Sequence, residues 1–184
     1  MRTLLFAFLL VAFPAQAAPP AWVVDKAASK VAVSSTFDGE AVRGTFRRWD
    51  AQIRFDPKDL AHSSARVTLE TASIASGDAD QEAALPDRVW FWSEKYPKAT
   101  FVTRSFKSLG GSRYAAVGDL SIRGVTKPLT LPFTLAITGD TARMNAAVDL
   151  NRLAFGVGQD EWKATDVIPA SVKVTIALTA RRAK

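Results

Sequence analysis

Residues 114–138 read YAAVGDLSIRGVTKPLTLPFTLAIT. Tyr114, Ala116, Gly118, Leu120 and Ile122 alternate with Ala115, Val117, Asp119, Ser121 and Arg123. After Gly124 the alternation resumes, with Leu129, Leu131, Phe133, Leu135 and Ile137 on one parity and Thr130, Pro132, Thr134, Ala136 and Thr138 on the other. A period of two puts successive side chains on opposite faces of an extended strand. Two such runs separated by a Gly-containing turn predict an antiparallel hairpin with one apolar face and one polar face.

The same pattern continues outward. Ala142, Met144, Ala146, Val148 and Leu150 form one apolar row, and Val172, Val174, Ile176, Leu178 and Ala180 form another. Gly139-Asp140 and Leu109-Gly110-Gly111 mark turns. Upstream, Trp22 to Asp25, Val31 to Phe37, Val67 with Leu69, and Phe101 to Phe106 predict further strands. Val42 to Phe55 predicts a long strand whose apolar parity switches between Phe46 and Trp49, so a bulge or bend is expected at Arg47-Arg48. The stretch from Gly77 to Tyr96 has no twofold alternation and predicts one or two short helices or turns bearing Val89-Trp90-Phe91-Trp92. Many antiparallel strands with short turns imply an all-β barrel or sandwich, and closure into a barrel removes exposed edges. About eight strands enclose an interior that side chains fill or that holds one small ligand.

Composition narrows the chemistry. The chain has 184 residues, 48% hydrophobic and 23% charged, and a net charge of +6. It has no cysteine, which excludes disulfides, thiolate catalysis and zinc–thiolate sites. Its one histidine, His62, sits in a polar turn without metal-binding partners and reads as an exposed structural residue. Asp78, Asp80 and Glu82 lack the glycine and distant glutamate of a calcium loop and read as solvated carboxylates. No phosphate-binding glycine loop or nucleic-acid motif is present, and no cofactor or nucleic-acid partner is expected. Basic residues are spread over the strand faces rather than clustered, which reads as a solvated surface or one attracted to anionic lipid headgroups.

Residues 1–17, MRTLLFAFLLVAFPAQA, combine Arg2, a ten-residue apolar run from Leu4 to Phe13 and small residues at Ala15 and Ala17. They predict a cleaved signal peptide, too short to span a bilayer, leaving a domain over residues 18–184 in a bacterial periplasm. Charged outer rows and the scarcity of tyrosine argue for apolar rows facing inward, against an outer-membrane barrel.

Several motifs go beyond periodicity. Gly44-Thr45-Phe46, Ile53-Arg54-Phe55-Asp56-Pro57, Tyr96-Pro97-Lys98-Ala99-Thr100-Phe101, the hairpin from Gly118 to Leu131 and Asn151-Arg152-Leu153-Ala154-Phe155-Gly156-Val157-Gly158 together resemble the YceI-like family, from about Trp22 to Ala180. The resemblance implies a lipocalin-like eight-stranded antiparallel β-barrel with a short helical insertion. It implies secreted or periplasmic proteins, without a family-wide catalytic residue set, that bind polyisoprenoids or related amphiphiles such as isoprenoid quinones in the barrel interior. Two polar stretches common in the family are altered here, near Thr36-Phe37 and at Glu82-Ala83-Ala84-Leu85-Pro86-Asp87, which bears on the ligand's head group.

The apolar rows alone read as core packing, whereas the resemblance makes them walls of a ligand site. The candidate ligand-binding residues are Phe37, Phe46, Ile53, Phe55, Leu69, Phe101, Phe133 and Phe155, with Trp90 and Phe91. The Trp90-Phe91-Trp92 run reads first as aromatic anchors that pin the insert and alternatively as closing the barrel mouth or contacting the ligand. About half of the strand set is expected to point inward, since a bend shifts a strand's phase. The expected function is that of a periplasmic carrier or storage protein for a polyisoprenoid-type lipid, with transient contact to anionic membranes and with homodimerisation left open. The alternatives are an accessory module of a membrane respiratory protein and an enzyme acting on a lipid or quinone.

Overall fold

Why eleven extended segments behave as eight staves follows from where the chain breaks. The computed structural model describes residues 18–184, and the expected signal peptide lies outside the described residues. In chain order the strands are β1 (Ala21–Val24), β2 (Lys30–Phe37), β3 (Glu40–Phe46), β4 (Trp49–Arg54), β5 (Ser64–Glu70), β6 (Ile74–Ala75), β7 (Lys98–Ser108), β8 (Arg113–Ile122), β9 (Val125–Thr138), β10 (Thr141–Asn151) and β11 (Ser171–Arg182). β1 and β2 lie along one edge of β11, and β3 and β4 continue each other across the bend at Arg47-Arg48. β5 and β6 are likewise interrupted by a 3-10 turn at Thr71–Ser73. Joined in this way, every stave pairs antiparallel with the next, and the β1–β11 pairing closes the ring. The expected eight-stranded antiparallel barrel is therefore the observed one.

The quoted hairpin is β8–β9, with Ile122 opposite Val125 and Arg123 and Gly124 both at positive φ (49° and 76°). That is the backbone pattern of a type I′ turn, whose twist suits paired strands. Asp38-Gly39 repeats it between β2 and β3 (47° and 80°). Gly118 serves a different need. A Cβ there would run into the Val102 carbonyl of β7, beside the register shift at Thr103–Ser105.

The bend at Arg47-Arg48 has a specific support. Ser73 accepts the Arg47 N–H at its carbonyl (2.9 Å) and the Arg48 N–H at Oγ (3.1 Å). Phe46 and Trp49 can then both turn toward the interior.

The two barrel ends differ. The insert from 76 to 97 and the loop from 152 to 170 lie at one end, together with the tight turns at 38–39 and 123–124. The other end, called the base here, holds the start of β1, the 55–63 loop, the turns at 109–112 and 139–140 and the end of β11. Near the base Phe55 meets Phe106, Tyr114 and Phe133 with ring centroids 5.0, 5.5 and 6.1 Å apart. Trp22 donates its indole N–H to the Phe55 carbonyl (2.9 Å). Such aromatic pairs contribute about 0.5–1.5 kcal/mol each beyond burial, and here they seal one end.

The insert carries one short helix, α1 (Ala79–Ala84), capped by Asp78, whose side chain accepts the Gln81 N–H (3.0 Å). Glu82 accepts the backbone N–H groups of Ser76 (2.8 Å) and Gly77 (2.9 Å). The Gly77 N–H holds the Glu82 carboxyl below its ordinary pKa against the opposing effect of desolvation, with smaller help from the Ser76 N–H and the Arg47 charge. A depressed pKa stabilises the fold above the ordinary glutamate value, and that stabilisation is lost as pH falls through the lower folded value. Glu82→Gln at neutral pH is expected to reproduce the acid effect, reducing hydrogen-exchange protection at Ser76 and Gly77 while leaving β10 unchanged. Unaltered protection at both amides would count against this anchoring role.

Candidate functional site

Inward rows on eight staves enclose a cavity of about 530 Å³ with almost wholly apolar walls. That volume lies within the range of small-molecule sites, roughly 300–1,000 Å³. Burial along single strands shows where the space is. On β10 and β11, Ala142, Ala146, Leu178 and Ala180 near the base are buried. Val148, Leu150, Val172 and Val174, inward on the same rows but nearer the insert, are only half-buried. An inward valine that stays half-buried borders a space that water can enter. Along these two strands the space lies mainly toward the insert.

All ten residues selected from the sequence border this cavity: Phe37, Phe46, Ile53, Phe55, Leu69, Trp90, Phe91, Phe101, Phe133 and Phe155. The bend at Arg47-Arg48 explains why residues of both parities from 42 to 55 arrive inside. Phe55 and Phe133 form the floor. Phe46 and Phe91 approach edge-on, 6.4 Å between centroids, where the insert crosses the wall.

Over the mouth the two long loops are joined. Val89 O accepts the N–H groups of Gly158 (3.0 Å) and Gln159 (2.7 Å). Trp90 lies 5.2 Å from Trp162, which in turn lies 6.4 Å from Phe37, and the three form an aromatic rim. Trp92 separates from its neighbours. It turns outward at φ 50°, meets Tyr96 edge-on at 5.7 Å and is faced by Lys95, Arg88 and Arg123. The Trp-Phe-Trp run therefore divides, with Trp90 and Phe91 toward the cavity and Trp92 pinning the insert to the β8–β9 turn.

The Asn151–Gly158 motif builds the other half of the mouth. Asn151 Oδ1 caps the following 3-10 turn by accepting the N–H groups of Leu153 (3.0 Å) and Ala154 (3.3 Å). Arg152 is 5% exposed and has no carboxylate partner among the described residues. Its guanidinium donates to the carbonyls of Pro169 (3.0 Å), Val157 (3.1 Å), Ile168 (2.8 Å) and Ala164 (3.3 Å). Burial lowers its pKa from the ordinary guanidinium value. Gly158 sits at φ 81°, and a Cβ there would strike Arg152 Nη1. One cation thus gathers the whole 152–170 loop and holds Trp162 over the cavity.

Polar groups are few and, apart from Thr103, whose hydroxyl is bonded to the Ala65 backbone, sit toward the rim. Ser35 Oγ is enclosed without a hydrogen-bond partner among the described residues and belongs to the cavity lining, as do Asp80 and Gln81 of α1. Asp80 is exposed. His62 pairs with Asp59 (2.7 Å) on the base loop, away from the cavity. Asp78 and Glu82 are occupied by backbone amides, as described above. Among the described residues no group of three or more His, Cys, Asp or Glu side chains is placed to hold a metal ion. The outer rows carry Thr130, Thr134, Arg143, Asn145, Lys173 and Thr175, a polar wall unlike the apolar band of a membrane barrel.

Sequence reasoning missed Trp162, Arg152, Ser35 and the valine belt of Val33, Val148 and Val174. The valines stood in the alternating rows but were passed over in favour of aromatics. Trp162 was signalled only as a lone aromatic in the polar run Gln159-Asp160-Glu161-Trp162-Lys163.

Comparison with known proteins agrees with this architecture. The family model described as YceI-like domain matches residues 22–180. A UPF0312 protein of Photorhabdus laumondii is 36% identical over 119 residues, 65% of this chain and 52% of that protein. A UPF0312 protein of Pseudomonas syringae is 32% identical over 122 residues, 63% of this chain and 64% of its own length. The matched stretches thus span about half to two thirds of those relatives. Among solved structures, BcnA of Burkholderia cenocepacia is 35% identical with a TM-score of 0.82, covering 85% of this chain and 98% of its own. A polyisoprenoid binding domain from Saccharophagus degradans, implicated in plant cell wall breakdown, shares the fold at 13% identity and a TM-score of 0.72, covering 89% of this chain and 99% of its own. With matching residues over nearly all of the barrel and the cavity inside it, this chain belongs to the YceI-like family.

Proposed function

We propose that this protein is a periplasmic binding protein that carries or stores a polyisoprenoid or similar long-tailed amphiphile inside its barrel. The observation that carries this reading is the half-empty, hydrocarbon-lined interior, closed by aromatics at the base and open under the Trp90–Trp162–Phe37 rim. The polyisoprenoid binding attributed to the Saccharophagus domain supports the ligand class, and the N-terminal pattern of residues 1–17 supports export. No covalent step is involved. The tail enters past the rim and water leaves the walls, at about 0.8 kcal/mol per buried methylene. The head stays at the mouth, where Ser35, Asp80 and Gln81 offer its hydrogen-bonding partners.

A series of straight-chain alcohols tests this directly, read by the fluorescence of Trp90 and Trp162. Affinity is expected to rise by up to about fourfold per added methylene and to level off once the cavity is full. Affinity independent of tail length would contradict the reading.

A further inference from the structure

The basic residues, evenly spread in the sequence, are sorted by end once strand directions are known. Arg54, Lys107, Arg113, Arg143, Arg181 and Arg182 all stand at strand ends around the base, and all are exposed. Among the described residues only Arg182 of these is paired with a carboxylate, Asp140 at 3.5 Å. The first five make none of the ion pairs formed among the described residues. The insert end is ringed instead by carboxylates: Asp38 and Glu40 on the β2–β3 turn, Asp78 and Asp80 at α1, and Asp160, Glu161 and Asp166 on the mouth loop. Cations stand there too: Arg88, Lys95 and Arg123 gather around Trp92, and Arg43, Lys98, Lys127 and Lys163 are exposed among the carboxylates. At the base the cations outnumber the carboxylates Asp56, Asp59 and Asp140, whereas at the mouth the two signs are interspersed, so the base is the basic end of the molecule.

We propose that the base is a docking surface for an anionic phospholipid bilayer, and that the barrel sits on it with its mouth pointing away. Two features favour a bilayer over other polyanions. The exposed apolar side chains among these cations are the aliphatic Leu109 and Val23, 46% and 62% exposed, which suit insertion between lipid headgroups. Exposed aromatics on which nucleic-acid bases would stack are lacking there among the described residues. The cations also rim one barrel end, a footprint that can lie on a planar surface. The mouth end carries exposed apolar groups too, Phe37, Val125 and Val167, but its cations are interspersed with carboxylates that offset attraction to a negative surface.

The test uses the purified protein with vesicles of phosphatidylcholine alone or with added phosphatidylglycerol. Binding is expected only to the phosphatidylglycerol vesicles, and to fall steeply with salt. Charge reversal at the base (R113E with R143E and R181E) is expected to weaken it by about 100-fold or more. Because the chain has no cysteine, single labels at Ser112→Cys on the base and Ala164→Cys at the mouth report orientation. Headgroup-quencher lipids are expected to quench the first label and spare the second. Equal binding to both vesicle types, no binding to either, or preferential quenching at the mouth would overturn the proposal. If the charge-reversed variant fails to fold, the salt titration and the two labels still decide it.

Discussion

Replacing Arg152 with methionine is expected to destabilise the protein by about 3 kcal/mol, because the buried Val157 carbonyl and the part-buried carbonyls of Ala164, Ile168 and Pro169 lose their donor at roughly 1–3 kcal/mol each before partial rehydration. The opposing effect, relief of a desolvated charge, reduces the loss without cancelling it, since methionine supplies no donor to the carbonyls of Val157, Ala164, Ile168 and Pro169. The midpoint of thermal unfolding should drop by about 6–12 °C for a domain of this size. Lysine is expected to restore little, because a compact ammonium cannot span acceptors arranged around a planar fork. Amphiphile binding should weaken as well, since Trp162 reaches the mouth on the loop that Arg152 gathers. A methionine variant within about 1 kcal/mol of the parent in denaturant would remove Arg152 from its central place in the mouth.

Narrowing the lumen separates fold from function. Val174 on β11 and Val67 on β5 both line the cavity and are half-buried. Val174→Trp combined with Val67→Phe is expected to leave a cooperative barrel whose stability lies within about 1 kcal/mol of the parent. Overpacking costs about 1–3 kcal/mol in a filled core, and here the added atoms enter vacant space. Excluding three methylenes of a tail should cost about 2.4 kcal/mol, about 50-fold in affinity. A variant that binds long-chain alcohols as the parent does would show that the tail lies elsewhere.

How far this was legible in the sequence depends on the element. β9 to β11 declare themselves, because each carries an uninterrupted period-two row with one face in the barrel and one in water, and β8 keeps the period although its outward Ala115 is buried. The change of parity between Phe46 and Trp49 located the bend, and Ser73 proved to be what holds it. The Asp38-Gly39 turn was equally readable and was overlooked. What could not be read was anything that depends on which strand ends meet. Arg152 looked like an ordinary charged residue until residues 164–169 folded back to surround it. The basic residues looked evenly scattered because antiparallel strands bring the end of one beside the start of the next. Whether the apolar rows enclosed a packed core or a space was also beyond periodicity, since both demand the same alternation. The difference shows only in the half-buried state of Val148, Val172 and Val174.

Lipid extraction decides that question of occupancy. The protein and its Val67→Phe/Val174→Trp variant would be purified from cells without detergent, extracted into organic solvent and their extracts compared by mass spectrometry. A long-tailed amphiphile is expected from the parent in close to stoichiometric amount and nearly none from the narrowed variant. An extract from the parent that holds no such molecule, or equal amounts from both proteins, would contradict the account.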